Sequence, residues 1–199
     1  MDYLKILAED IHSVSASTVD NEGHPQIRVI DVMHYDEDGL YFLTAKGKEF
    51  YSQLIEKQYI AISGLKGKMA ITLRGKVRCI GYDKLDLIFE KNPYMKEIYR
   101  EGTRDALEVF MIYDAEGEFF DITVPSRIIR ESFCIGNAEI GKAGYLITDA
   151  CSLCGLCMDA CPQNCIDISN RTAVIDFRHC LNCGRCAAHC PEKAIVRIR

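Results

Sequence analysis

Several features are missing from this sequence. It has no run of about 18 apolar residues, so no single segment reads as a membrane-spanning helix. It has no basic excess: 24 Lys+Arg stand against 29 Asp+Glu, for a formal net charge of −5. A nucleic-acid binder working through a basic face is therefore not expected. The opening MDYLKILAEDIHS lacks the basic n-region and small-residue cleavage site of a secretory signal. The expected compartment is the cytoplasm, with no membrane partner. No G-x-G-x-x-G follows a strand-like run, which excludes a Rossmann site for a nicotinamide cofactor.

What is present suits a globular protein. The 199 residues are 48% hydrophobic and 27% charged, enough for one ordinary domain and a small second one. Cysteine is the outlier. There are 11, and 9 of them fall between Cys151 and Cys190. Without an export signal, such clustering indicates metal rather than disulfides.

Two runs carry that argument. The first is Cys151-x2-Cys154-x2-Cys157-x3-Cys161-Pro162, and the second is Cys180-x2-Cys183-x2-Cys186-x3-Cys190-Pro191. Each cysteine recurs at an offset of 29, as do Gly155/Gly184, Pro162/Pro191 and Ile166/Ile195. This is an internal duplication and predicts a pseudo-two-fold unit. Three cysteines at this spacing sit on one tight loop around a cluster. The fourth, followed by proline, reaches the other cluster. The first cluster is thus assigned to Cys151, Cys154, Cys157 and Cys190. The second is assigned to Cys180, Cys183, Cys186 and Cys161. Zinc needs only four ligands per site and rarely uses this spacing twice. Cys165 breaks the duplication, since its counterpart is Ala194, and it reads as a small core residue. Cys79 reads the same way.

These motifs resemble the bacterial-type ferredoxin carrying two [4Fe-4S] clusters, over about residues 144–199. The resemblance implies a small α+β domain and one-electron transfer at low potential.

The first 135 residues hold 17 Lys+Arg and 23 Asp+Glu, and the remainder holds 7 and 6, so the larger part is the acidic one. Its pattern is mainly β. A short helix is expected over Asp2–Ile11, and strands over Val14–Val19, Gln26–Tyr35, Leu40–Thr44 and Tyr59–Ser63. Helices are expected over Lys48–Lys57 and Asp83–Glu90. Met69–Ile80 alternates most cleanly, with Gly75 marking a bend or bulge. Ala106–Tyr113 and Glu118–Val124 read as a hairpin turning at Asp114-Ala-Glu-Gly117. Gly-rich residues 135–143 read as a linker.

The order and wording of these pieces resemble the pyridoxamine-phosphate-oxidase-like flavin-binding split barrel. The matching stretches are Ser17-Thr18-Val19-Asp20-x2-Gly23-His24-Pro25, Ile27-Arg28-Val29, Leu40-Tyr41-Phe42-Leu43-Thr44 with Lys46 and Lys48, and Leu73-Arg74-Gly75-Lys76-Val77. The resemblance implies a split β-barrel over residues 1–134 that binds FMN at the interface of a homodimer. Arg28, Thr44, Lys46 and Lys48 suit a phosphate dianion at a strand end and helix start. The backbone of Val29 and Ile30 is implied to hold the flavin ring edge. The arginine run that grips both phosphates in the vitamin-forming oxidases is missing, so their activity is not implied. His12 and His24 read as surface or turn histidines.

Together the halves read as an iron–sulfur flavoprotein. It would be an oxidoreductase passing electrons between two [4Fe-4S] clusters and FMN, with a redox protein or small molecule as partner. Two readings compete: a haem-binding or haem-utilisation split barrel, and a non-enzymatic redox-sensing module.

Overall fold

The computed structural model describes residues 1–199 apart from Glu101, Lys142, Asn170 and Arg199. The chain divides into two compact units. One is Met1–Phe119 with Ser132–Glu139, and the other is Phe120–Glu131 with Ile140–Arg199.

The first unit opens with α1 (Tyr3–Lys5), which continues as a π-helical stretch over Ile6–Ile11. Asp2 caps it by accepting the Lys5 N–H at 3.0 Å, satisfying a donor the first turn leaves free. Strands β1 (Ser13–Val19), β2 (Pro25–Asp31), β3 (His34–Asp36) and β4 (Gly39–Ala45) follow. Then come α2 (Glu49–Lys57), β5 (Tyr59–Lys66) and β6 (Met69–Gly81). Helices α3 (Leu85–Lys91) and α4 (Met95–Ile98) precede β7 (Leu107–Asp121) and β8 (Ile129–Ile135). The sheet runs β2-β1-β5-β6-β7-β4-β3, with β8 added to β7. It is a split-barrel-like sheet, and the protein is mainly strand, as the alternation predicts.

Burial explains the register. In β6 Ile71, Leu73, Gly75 and Val77 face inward, while Thr72, Arg74, Lys76 and Arg78 are exposed. The main core joins these residues to Leu7, Phe42, Phe50, Leu54 and Phe110. A second core forms where Ile88, Phe89 and Met95 of α3 and α4 cover Tyr41, Val109 and Met111. Each large side chain so buried contributes about 1.5–3 kcal/mol.

Four expectations change. The strand expected over Gln26–Tyr35 breaks at Val32 and Met33. There the pairing switches: Val32 N–H donates to His12 O at 2.8 Å and Met33 N–H to Tyr41 O at 2.8 Å. The hairpin expected around Asp114–Gly117 is one continuous strand, β7. Asp114 takes φ +42° without turning the chain, because Asn137 N–H (2.9 Å) and Lys76 Nζ (3.2 Å) hold its carboxylate. Gly75 makes no bulge, since its register partner Ile60 lies in an unbroken ladder. It is glycine because a Cβ there would lie 2.4 Å from Ala115 Cβ.

The fourth concerns the boundary. Instead of one crossing at 135–143, residues 120–131 belong to the second unit and residues 132–139 return to the first. The cause is a set of hydrogen bonds described below. Residue 142 of the expected linker lies outside the described residues.

The second unit pairs β9 (Gly144–Ile147) with β12 (Ile195–Ile198), and β10 (Ile166–Asp167) with β11 (Val174–Ile175). Two one-turn helices, α5 (Leu156–Asp159) and α6 (Arg185–Ala188), follow the cysteine loops. The duplication is visible in the backbone. Leu153 and Asn182 sit at φ +58° and +53°, and Asn164 and Lys193 at +50° and +49°. Gly155 and Gly184 sit at +80° and +75°, the left-handed region that favours glycine. Among the described residues no helix is long and apolar enough to cross a membrane.

Candidate functional site

The second unit gathers its cysteines in two pockets. One is lined by Cys151, Cys154, Cys157 and Cys190, with Glu192 and Ile195. The other is lined by Cys180, Cys183, Cys186 and Cys161, with Cys165, Gln163 and Tyr145. The structure thus brings together each of the two sets of four that the spacing assigns. The thiols of Cys157 and Cys186 are pushed up, first by burial and then by the neighbouring thiols of their own set. Soft thiolates in sets of four fit an iron–sulfur cluster, whose iron would replace those protons. Amide N–H groups also turn toward sulfur, from Asn182 to Cys180 Sγ at 3.4 Å and from Ala194 to Cys190 Sγ at 3.3 Å.

Residues 120–131 form a strap on this unit, and sequence reasoning missed it. Gln163, two residues beyond Cys161, grips the strap with both ends of its amide. Its Oε1 accepts Ile128 N–H at 2.9 Å, and its Nε2 donates to Pro125 O at 3.1 Å. His179 Nδ1 lies 2.6 Å from Ile128 O, and Arg130 N–H donates to Arg178 O at 2.7 Å. The strap spans a stretch that reads as strand and turn, and only the tertiary pairing shows where it goes.

The first unit holds a cavity of about 320 Å³. Arg28, Val29, Ile30 and Asp31 of β2 form one wall, and Leu43, Thr44 and Ala45 of β4 another. Lys48 and Phe50 at the start of α2 contribute, as do Met33, Met95, Tyr99 and Leu107. Five of the six residues expected to bind flavin therefore come together. Lys46 does not. Its Nζ pairs with Glu108 Oε1 at 3.3 Å and donates to Tyr82 Oη at 2.8 Å, away from the cavity lining. The reason is register. Thr44 pairs with Glu108 across β4 and β7, which puts a carboxylate within reach of the residue just past the strand end.

Arg28 is held in place. Its guanidinium donates to Thr18 Oγ1 at 2.5 Å and Gln53 Oε1 at 3.0 Å, and stacks 4.4 Å over the Phe50 ring. These partners are uncharged, and burial lowers its pKa from the ordinary value. Thr18 and Gln53 are themselves buried and linked at 2.5 Å. Thr44 Oγ1 is buried without a hydrogen-bond partner, an expensive state for a hydroxyl. At the first turn of α2, Lys48 is the cap residue. The apolar wall, with Met95 and Tyr99 one helical turn apart, was not singled out in sequence, although the spacing was there to read.

A family model for pyridoxamine 5'-phosphate oxidase matches residues 4–119, more than half of the chain. The chain belongs to that family. In this oxidase-family chain the cysteine-rich part matches a second model, the 4Fe-4S dicluster domain, over residues 150–194. The cysteines are thus those of a two-cluster iron–sulfur domain.

Over 55 residues the chain is 43% identical to pyruvate synthase subunit PorD of Methanothermobacter marburgensis, covering 28% of this chain and 64% of that one. It is 38% identical over 53 residues to ferredoxin-1 of Caulobacter vibrioides, covering 26% and 47%. It spans less than two thirds of either relative. It also matches 93% of a ferredoxin of Chlorobaculum thiosulfatiphilum at 39% identity, with 26% of this chain.

Among solved structures, a NimC/NimA family protein of Clostridium acetobutylicum superposes with TM-score 0.58 and 20% identity, over 68% of this chain and 93% of that one. A protein of the same organism related to general stress protein 26 gives TM-score 0.52 and 15% identity, over 65% and 89%. Both show the fold.

Proposed function

We propose that this oxidase-family barrel binds FMN in the Arg28–Thr44–Lys48 cavity, and that the protein is an oxidoreductase moving electrons between that flavin and its two [4Fe-4S] clusters. The observation that carries the reading is the buried, unpartnered Thr44 hydroxyl lining a cavity that also holds the cations Arg28 and Lys48, with Asp31 as its one carboxylate. A phosphate dianion supplies the acceptor that the Thr44 hydroxyl lacks and the negative charge that neither Arg28 partner carries. FMN, when bound, supplies two-electron chemistry that can also proceed in single-electron steps.

The chain's own residues do the rest. Thr18, Gln53 and Phe50 fix the Arg28 guanidinium before any ligand arrives, so little ordering is needed on binding. The main chain of Val29 and Ile30 offers donors and acceptors along β2 for a ring edge. Met33, Leu43, Met95 and Leu107 line the cavity with apolar side chains, a surface that favours a ring system over water. Held by the eight cysteines, each cluster would store one electron, so the two would match the pair a reduced flavin carries.

Two further parts of the reading concern setting. Ile27 and Val29 are 75% and 70% exposed on β2, the terminal strand of the sheet. An apolar edge of this kind favours cover by a second copy of the chain. The abundance of thiolate ligands favours the reducing cytoplasm.

The test is anaerobic purification followed by absorption spectroscopy, iron analysis and native mass spectrometry. The expected result is a flavin spectrum, about eight irons per chain as two four-iron clusters require, and a dimer mass. A protein without flavin overturns the reading, and a Soret band in its place points to haem.

A further inference from the structure

We propose that the two clusters are electrically unequal, with the Cys180/Cys183/Cys186/Cys161 cluster reduced at the higher potential and so holding the first electron. This rests on the two-cluster reading above.

The duplication makes the comparison a controlled one. Each residue near one cluster has a counterpart at an offset of 29 near the other, so a difference within a pair is a difference between the clusters. Gln163 and Glu192 form a pair that lines the two pockets and differs in charge. Glu192 lines the pocket of the first set, and Gln163 lines that of the second. Glu192 puts a carboxylate there. Gln163 puts a neutral amide there, and the strap pins it at both ends, to Ile128 N–H and Pro125 O.

Other pairs point the same way. Asp149, two residues before Cys151, corresponds to Arg178, two residues before Cys180. Leu156 corresponds to Arg185. Arg185 precedes the ligand Cys186, and its Nε donates at 3.2 Å to Ala160 O, the residue before the ligand Cys161. Both ends of Arg185 therefore belong to the second set. Three charges oppose the trend without reversing it. Lys193 follows Glu192, Asp176 pairs with Arg178 at 3.6 Å, and Asp159 lies two residues before Cys161. Around the first set the balance remains acidic, and around the second it is even.

Cys165 adds to the contrast. It is buried at 8% exposure, and its Sγ lies 3.5 Å from the Sγ of Cys161. With Cys161 bound to iron as thiolate, the Cys165 S–H is the donor. Its counterpart, Ala194, offers the first set no such donor.

The step concerned is the uptake of one electron by each cluster. An external reductant gives up the electron, and no bond to the protein forms or breaks. Uptake adds negative charge to a cluster that is already anionic. A nearby carboxylate opposes it, whereas a guanidinium or an S–H donor to sulfur favours it. All three differences therefore separate the two potentials in one direction.

The test is a reductive titration of the intact anaerobic protein with dithionite and mediators, followed by electron paramagnetic resonance at low temperature. Two resolved one-electron steps are expected. Glu192 is exposed, so Glu192→Gln should fold normally, raise the lower step and narrow the gap. Arg185→Ala should lower the upper step and leave the lower one in place. Gln163→Glu should also lower the upper step. A single unresolved wave in the unmodified protein overturns the inference while leaving the clusters in place. So does a Glu192→Gln protein whose upper step moves, or whose gap is unchanged. Iron far short of two clusters, with no resonance on reduction, overturns the cluster reading itself.

Discussion

The two units of this chain are held together by different means. The first buries Tyr41, Phe42, Phe89, Phe110, Leu7 and Leu54 at under 2% exposure. The core of the second is Cys157, Cys165, Cys180 and Cys186 with Ile166, Ile175 and Ile195, so four of its seven residues are cysteine. Its strands are two to four residues long. A unit this small buries too little apolar surface to stand alone, and thiolate–iron bonds make up the difference. One unit is stable because of what it excludes, the other because of what it binds.

The sharpest way to break that contrast is to remove the metal. Chelation under oxidising conditions should abolish hydrogen-exchange protection over residues 140–199 and leave Met1–Phe119 protected. The strap sharpens the test. Because residues 120–131 bond to Gln163, Arg178 and His179, they should lose protection with the clusters, while the adjoining part of β7 before Phe120 keeps it. Protection that survives in the strap would contradict the division described here. The converse experiment is Phe110→Ala. This side chain is fully buried and stacked 5.7 Å from Phe42, so its loss should cost about 3–5 kcal/mol in denaturant unfolding of the barrel unit. In native buffer the cluster absorption should be unchanged.

The same contrast decides what could be read without coordinates. The cluster ligands were legible residue by residue, because each motif is a local loop whose geometry is fixed by spacing and a following proline. The barrel's elements were legible where alternation was strict, as in β6. They were obscured where tertiary partners override local signals. Asp114-Ala-Glu-Gly117 has the composition of a turn, yet Asn137 and Lys76 hold it inside a strand. Lys46 has the right place in the family's wording, but Glu108, 62 positions away in the sequence, captures it. The strap leaves no local mark, since it is made by contacts distant in sequence.

Smaller effects separate the cavity from its scaffold. Arg28→Ala removes a charge-assisted contact to phosphate and should weaken FMN binding by about 1.5–3 kcal/mol, measured by titrating flavin into deflavinated protein. Thr44→Val should act with opposite signs in the two forms. Without flavin it removes a buried unsatisfied hydroxyl and should stabilise the barrel by up to about 1 kcal/mol. With flavin it deletes a ligand contact and should lower affinity. A variant that destabilises both forms would show that Thr44 serves packing alone.

The smallest expected effect is a pH dependence confined to the first unit. His34 is buried at 7% exposure, stacked on Tyr41 at 5.4 Å, and its Nδ1 accepts from Lys91 Nζ at 3.1 Å. Burial lowers its pKa, and the Lys91 charge lowers it further, against an opposing pull from Asp36. Below the ordinary histidine value of about 6.5 the unfolded chain therefore binds a proton that the folded one resists. Stability should rise with pH through that region and fall as the pH drops below it. Held carboxylates such as Asp36 and Asp114 act in a separate, lower window, because their pKa values are already depressed in the folded state. Their contribution is present above the ordinary carboxylate value of about 4 and lost as the pH falls through it. Urea midpoints at two pH values above 5 should thus isolate His34. In His34→Gln the stack on Tyr41 is weakened, so the barrel is less stable overall, but the slope between those pH values should flatten.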